Sequence, residues 1–365
     1  NVPWCFFSSN NGYTVVSQNR LEAQLKRVNS PSLYGAEITE LTFTAEMQTE
    51  NRLRFHITDA NKARFEVPHE HVNSLTSSPN GPLNYELELV HSPFGVRVRR
   101  VSNRKILFDT TVAPLIFEDQ YLQISAKLAS DNVYGLGEHV HQNYRHDMNW
   151  RTWPIFTRDS FPNGVNVTLQ PAPAVTYRTI GGVLDFYILL GATPEAIVQE
   201  FTELVGRPTI PPYWAFGFQL SRWDYGSLEE VKRTVERNRE IGLPYDTQYT
   251  DIDYMEDKKD FTYDMVKFKD LPQFADYMHE QGQKYILILD PAIAISKRIN
   301  GTYESYDRGA EVEAWITEAD GTTPLVGEVN HVFDFSIASK VFCCVSWRCC
   351  LLISGTAVCF RTCTD

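Results

Sequence analysis

Between Tyr213 and Pro291 the sequence alternates strand, helix, strand, helix, strand, and few folds accommodate that order. The expected strands are Trp214-Ala-Phe-Gly-Phe-Gln-Leu220, Thr247-Gln-Tyr-Thr250 and Tyr285-Ile-Leu-Ile-Leu289. They end in Ser221-Arg222-Trp223, Asp251-Ile252-Asp253 and Asp290-Pro291 respectively. The third is a near-continuous apolar run, the pattern of a strand buried on both faces. Ser227 with Glu230, and Asp270 with Gln273, read as capping boxes. Leu228, Val231 and Val235, then Leu271, Phe274, Ala275 and Met278, recur at helical spacing. Gly242, Pro244 and Gly282 stop the two helices. Two successive βαβ units predict a right-handed parallel sheet, here the first part of a (β/α) barrel. Ligands bind at the carboxyl ends of the strands in such folds, where acids and an aromatic recur in this chain.

Upstream, from about Leu21 to Arg207, the signal is β. Thr42-Phe-Thr-Ala-Glu-Met47 and Arg52-Leu-Arg-Phe-His-Ile-Thr58 alternate apolar and polar residues. Gly95-Val-Arg-Val-Arg99 and Lys105-Ile-Leu-Phe-Asp109 flank Ser102-Asn103 as a hairpin would. Many short alternating strands with Pro, Asn and Gly between them indicate a β-sandwich. Pro208-Thr-Ile-Pro-Pro212 is a stiff linker, because each proline fixes φ. Inside the β region, Tyr134 to Asp147 is dense in polar groups. His139, His141, His146 and Asp147 match no metal-ligand spacing, so the segment reads as a loop, with Asp147 aimed at a ligand or the histidines simply satisfied. His69-Glu-His71 alternates on an expected strand and lacks a third ligand. No metal and no cofactor are expected.

The net charge is −12, so an acid-lined cleft repels nucleic acid and anionic lipid, and a neutral or cationic ligand fits better. Aromatic residues make up 13%, and aromatic faces are what sugar rings stack on, although most serve as core. Six of the seven cysteines, Cys343, Cys344, Cys349, Cys350, Cys359 and Cys363, crowd the end of the chain in no recognised zinc spacing. Asn166-Val-Thr168 and Asn300-Gly-Thr302 are sequons, in keeping with a secreted, glycosylated chain. No starting Met, signal peptide or run of 18 apolar residues is present, and Arg348 interrupts the apolar stretch near the end. The chain is expected to be a piece of something longer, with no membrane contact of its own.

At Asp251-Ile-Asp-Tyr-Met-Glu256 the chain resembles the family 31 α-glucosidases, most closely their sucrase-isomaltase and maltase-glucoamylase group. Further stretches carry the likeness: Tyr134-Gly-Leu-Gly-Glu-His-Val-His141, Arg145-His-Asp-Met-Asn-Trp-Arg-Thr-Trp-Pro-Ile-Phe156, Thr179-Ile-Gly-Gly-Val-Leu-Asp-Phe-Tyr187, Leu220-Ser-Arg-Trp223 and Asp260-Phe-Thr-Tyr-Asp264. The resemblance implies retaining hydrolysis of terminal α-glucosidic bonds in maltose, isomaltose and starch oligosaccharides. It implies a galactose-mutarotase-like β-sandwich followed by a (β/α)8 barrel, on the lumenal or extracellular side of the secretory pathway. Residues 1–13 resemble the end of a trefoil module, 14–207 the sandwich, and 208–329 the linker and first three βα units. Residues 330–365 are a cysteine-rich tail without family likeness. Residue by residue, Asp147 matches the sandwich-loop acid that binds glucose, and Asp251 the acid after the second barrel strand. Trp223, Ile252 and Ile288 match the aromatic and aliphatic wall. Ile288 reads equally well as strand core.

Three departures bear on activity. The family places its nucleophile after the fourth strand and its acid/base after the sixth, and retaining hydrolysis needs both carboxyl groups about 5–5.5 Å apart. Neither stretch occurs here, so no catalytic residue is assigned. The likeness stops at Gly327-Glu-Val-Asn330, and the junction at Gly164-Val165 lacks several sandwich strands of the family. A whole barrel takes about 250 residues, whereas only three barrel strands are recognisable from Trp214 on. The expectation is a catalytically inactive chain with an exposed sheet edge, either a carbohydrate-binding fragment or an unstable product without function.

Overall fold

The computed structural model describes residues 11–28, 37–66, 79–136, 143–154, 166–290, 292–296, 298, 301–328, 335–338, 350–353 and 356–361. The chain divides into two units, one of residues 1–208 with 345–365, the other of residues 209–344.

The first unit is built on two eight-stranded sheets. One runs Tyr13–Asn19, Glu22–Arg27, Glu40–Met47, Arg52–Asp59, Leu184–Leu190, Thr356–Arg361, Cys350–Ile353, Val133–Gly135. The other runs Thr152–Pro154, Asn166–Gln170, Ala174–Thr179, Leu122–Leu128, Ile106–Asp109, Phe94–Arg100, Tyr85–His91, with Ile116–Phe117 beside Leu122–Leu128. The alternating segments 42–47 and 52–58 both lie in strands, and their apolar faces point inward as alternation requires. The hairpin around Ser102-Asn103 forms, with Val98 opposite Phe108.

Rings from the two sheets meet in one core. Phe55 and Phe186 stack at 5.0 Å, and Phe108 and Tyr177 of the opposite sheet close on Phe186 at 6.0 and 5.5 Å. Every residue of Leu184–Leu190 is buried, because the helix Pro194–Val205 covers the outer face through Ile197 and Leu204. Arg54 crosses from the neighbouring strand and forks onto buried Asp185 at 2.9 and 3.0 Å.

Two segments behave differently from their sequence reading. Residues 350–353 and 356–361, in the stretch that reads as an unrelated tail, form an antiparallel pair inserted between Leu184–Leu190 and Val133–Gly135. Tyr13, placed with the module before the sandwich, opens the first strand and donates its hydroxyl to the carbonyls of Ile38 and Phe117. The junction at Gly164-Val165 and His69-Glu-His71 lie outside the described residues.

The second unit holds three parallel strands in the order Gln219–Leu220, Thr247–Thr250, Lys284–Leu287. The first is far shorter than its apolar run suggests. Behind Pro212, residues Tyr213–Phe216 turn in a 3₁₀ helix, and only Gln219 and Leu220 reach the register of Thr247 and Gln248. The helices Leu228–Glu240 and Leu271–Glu280 lie where the periodicity predicts, burying Leu228, Val231, Val235, Leu271, Phe274 and Met278. Ser227 caps the first by accepting from the Glu230 N–H. Asp270 makes no such side-chain bond, so the second capping box is not formed, and Pro272 alone preorganises that start. The third strand is half-exposed rather than buried on both faces. Thr247–Thr250 is its one partner strand among the described residues, and Leu287 and Leu289 remain open. A small antiparallel sheet, Ala292–Ala294, Phe335–Ala338 and Val326–Glu328, completes the described part of this unit.

Candidate functional site

Parallel pairing brings three strand ends to one edge of the sheet. Leu220 lies opposite Gln248 and Thr250 opposite Leu287, so Trp223, Asp251 and Ile288 follow on neighbouring strands. Asp251 caps the short turn Ile252–Tyr254, its Oδ1 accepting the Ile252 N–H at 2.7 Å. Among the described residues Oδ2 accepts no bond, and the residue is half-exposed at the strand end. Trp223 projects from the loop after the first strand with 65% of its surface exposed. Ile288 is half-buried; its N–H donates to Thr250 O at 3.2 Å and its carbonyl accepts from the Tyr254 hydroxyl at 2.8 Å. Ile252 is 7% exposed and packs with Tyr225, Tyr254 and Phe268, so its side chain is spent on core.

Two further acids line this edge. Asp253 accepts the backbone N–H groups of Asp224, Tyr225 and Gly226 at 3.0–3.2 Å, so both its oxygens are engaged. Nothing local in the sequence signals this, because the donors lie 27 to 29 residues away. Asp260 is buried, and its Oδ1 accepts the Asp290 N–H at 3.1 Å. Burial raises the Asp260 pKa to about 6, with the nearby Asp290 charge adding to the rise and the Asp290 N–H opposing it. Tyr303 donates its hydroxyl to the Asp260 carbonyl at 2.9 Å.

Asp147 belongs to the first unit. Its carboxylate is engaged within its own loop, by the Asn149 N–H at 2.9 Å, the Asn149 amide at 2.8 Å and Arg151 Nε at 3.1 Å. The Asn149 N–H and the Arg151 guanidinium hold its pKa below the ordinary carboxylate value. The next-door His146 is buried against the Gly135 carbonyl at 2.6 Å, which makes it a structural histidine. His139 and His141 lie outside the described residues. Asn166 begins a sandwich strand, half-buried, with its amide oxygen accepting from Arg178 at 3.0 Å. Asn300 lies outside the described residues.

Comparison with known proteins places this architecture. The family described as "Glycosyl hydrolases family 31 TIM-barrel domain" matches residues 208–342, running past Asn330 where the motif likeness ends. The chain is 50% identical to human intestinal sucrase-isomaltase over 90% of its length, and 49% identical to human probable maltase-glucoamylase 2 over 88%. Mouse lysosomal alpha-glucosidase is 36% identical over 90%. The chain spans 20%, 14% and 37% of these relatives respectively. Among solved structures, the glucosidase II alpha subunit superposes with a TM-score of 0.68 at 16% identity, over 91% of this chain and 48% of that one. A Flavobacterium johnsoniae dextranase superposes with a TM-score of 0.65 at 14% identity, over 90% and 44%. Both likenesses are of fold. Sequence identity and the matched segment agree, and residues 208–342, which carry Asp251, match the TIM-barrel domain of glycosyl hydrolase family 31.

Proposed function

We propose that the chain recognises the terminal glucosyl unit of α-linked gluco-oligosaccharides and descends from retaining α-glucosidases. The observation that carries this reading is Asp251, whose Oδ2 accepts no bond among the described residues, and exposed Trp223, both following strands at the carboxyl edge of a parallel sheet. An ionised carboxylate accepts strong bonds from sugar hydroxyls, and an indole face packs on a pyranose ring. Ile288 supplies an aliphatic wall, and Asp147, on the sandwich loop, is read from the family likeness alone as a glucose-binding acid. Ile252, already buried, shapes the turn from below.

Taken by itself, the 365-residue chain binds such sugars without hydrolysing them. Retaining hydrolysis needs a nucleophile and an acid/base. The family stretches that carry them do not occur in the sequence, and Asp253, two residues after Asp251, already holds three backbone donors. The sandwich of 14–207 is read as galactose-mutarotase-like with strands lacking near 164/165, and the barrel as incomplete. The lumenal side of the secretory pathway fits the sequons Asn166 and Asn300, and no helix among the described residues is long and apolar enough to cross a membrane. An unstable product is the second reading, favoured by exposed Phe216, Phe218, Leu287 and Leu289 on the barrel strands and their approach.

The test is maltose binding by calorimetry together with hydrolysis of a chromogenic α-glucoside. Binding that is weakened in Asp147→Ala and Asp251→Ala, without turnover, is expected. Turnover by the pure chain overturns the inactive reading, and a broad melt with dye binding and no sugar affinity favours the unstable product.

A further inference from the structure

The two acids of Asp251-Ile-Asp253 divide the work of the site. We propose that Asp253 is its positioning residue, holding the loop that presents Trp223, an assignment that rests on reading that loop as a sugar subsite.

Asp224, Tyr225 and Gly226 turn three successive backbone N–H groups onto one carboxylate. Asp224 and Gly226 have φ of 60° and 73°, and left-handed residues of this kind let consecutive amides converge on an anion. Glycine adopts that region freely, but an aspartate does so only where its surroundings repay the strain, and here the carboxylate of Asp253 does so. Among the described residues these three N–H groups have no other acceptor. The loop is otherwise pinned through side chains. Tyr225 is buried, its hydroxyl accepts from Gln248 Nε2 at 2.9 Å, and the Arg222 guanidinium lies 4.7 Å over its ring. Tyr225 therefore points inward, and Trp223, two residues earlier, projects outward.

Asp253 sits in the same three-residue turn that Asp251 caps. One turn thus fixes both Asp251 and the backbone that carries the indole. If the clamp opens, Asp251 stays where its own bond to Ile252 holds it, while Trp223 loses its orientation. Loss of affinity then arises wholly through Trp223, which separates positioning from a general contribution to stability.

The experiment uses the full chain, with maltose binding by calorimetry and hydrogen exchange of the 224–226 amides. Asp253→Ala is expected to speed exchange at those amides and to weaken maltose about tenfold. Asp253→Glu is expected to restore part of both. In the cycle with Trp223→Ala, the double variant is expected to bind like Trp223→Ala alone, since an indole that is absent cannot be mispositioned. Additive losses, or unchanged affinity in Asp253→Ala while Trp223→Ala weakens binding, overturn the positioning role and leave the sugar site standing. Trp223→Ala binding maltose as well as the unmutated chain, or an unmutated chain that binds none, overturns the sugar reading and the proposal with it. Should Asp253→Ala not fold, Asp253→Asn, which keeps one acceptor oxygen, carries the same cycle.

Discussion

The Tyr254 hydroxyl donates to the Ile288 carbonyl at 2.8 Å, joining the turn after the second barrel strand to the end of the third across 34 residues of sequence. The next residue, Leu289, is half open to solvent, so this bond is one of the few that hold the strand end. Burial pushes the Tyr254 pKa up to about 12, which keeps the phenol protonated and donating at every physiological pH. Tyr254→Phe keeps the buried ring and leaves the Ile288 carbonyl without that donor. A loss of about 1–2 kcal/mol in the second unit is expected, measured by denaturant unfolding. Hydrogen exchange is expected to accelerate at Ile288, whose own N–H bonds to Thr250.

Asp260 makes the second unit sensitive to pH. An unfolded aspartate titrates near 3.8 and this one near 6, so between those values the folded chain keeps a proton that the unfolded chain has lost. Stability therefore falls as pH rises through that window, by about 2–3 kcal/mol in total from this group. Asp260→Asn keeps the oxygen that accepts the Asp290 N–H and removes the charge. The variant is expected to flatten the stability profile between pH 4 and 6 and to unfold at higher denaturant than the unmutated chain at pH 7. An unchanged profile would show that another group titrates there.

Much of this was legible in the sequence where the physics is local. Alternation at 42–47 and 52–58 gave strands because one face of each is core, and periodicity at Leu228, Val231 and Val235 gave a helix for the same reason. The family motif pointed to Asp251 and Trp223, and parallel pairing carries both to one edge of the sheet. What failed depended on distant partners. The run Trp214–Leu220 reads as one strand, yet pairing begins only where Gln219 meets Thr247, and the residues before it turn behind Pro212. The run 285–289 reads as doubly buried, which would need a neighbour on its far side. The pairing of Thr356–Arg361 with Leu184–Leu190 and the grip of Asp253 on 224–226 join segments that share no local signal.

In the sandwich, Arg54 and Asp185 form a two-pronged pair with Asp185 only 1% exposed. Glu46 adds a third contact to Arg54 at 3.0 Å, and the Tyr187 ring packs 5.5 Å from the guanidinium. Arg54→Met takes both guanidinium bonds away from a buried carboxylate, and a loss of about 3–5 kcal/mol is expected. Replacing both partners, Arg54→Met with Asp185→Leu, is expected to recover most of it, because the pair's desolvation cost disappears along with its attraction. Thermal melts of the two single variants and the double variant read out the difference.

Gly309 sets two effects against each other. It lies within the helix Glu304–Glu311, where alanine is ordinarily better than glycine by about 1 kcal/mol. A Cβ at this position, however, would overlap the six-membered ring of Trp315. That ring has little room to move. It is 6% exposed, packs in a small core with Ile293 and Tyr303, and stacks on Tyr306 at 5.9 Å and 20°. Overpacking of such a site costs about 1–3 kcal/mol, enough to outweigh the helix preference. Gly309→Ala is therefore expected to lower the melting temperature and to shift Trp315 emission to the red as the indole is displaced toward water. Pairing it with Trp315→Leu removes the overlap, and against the Trp315→Leu background the same alanine is expected to stabilise. An alanine that stabilises in both backgrounds would mean that the ring yields freely and that the helix term governs.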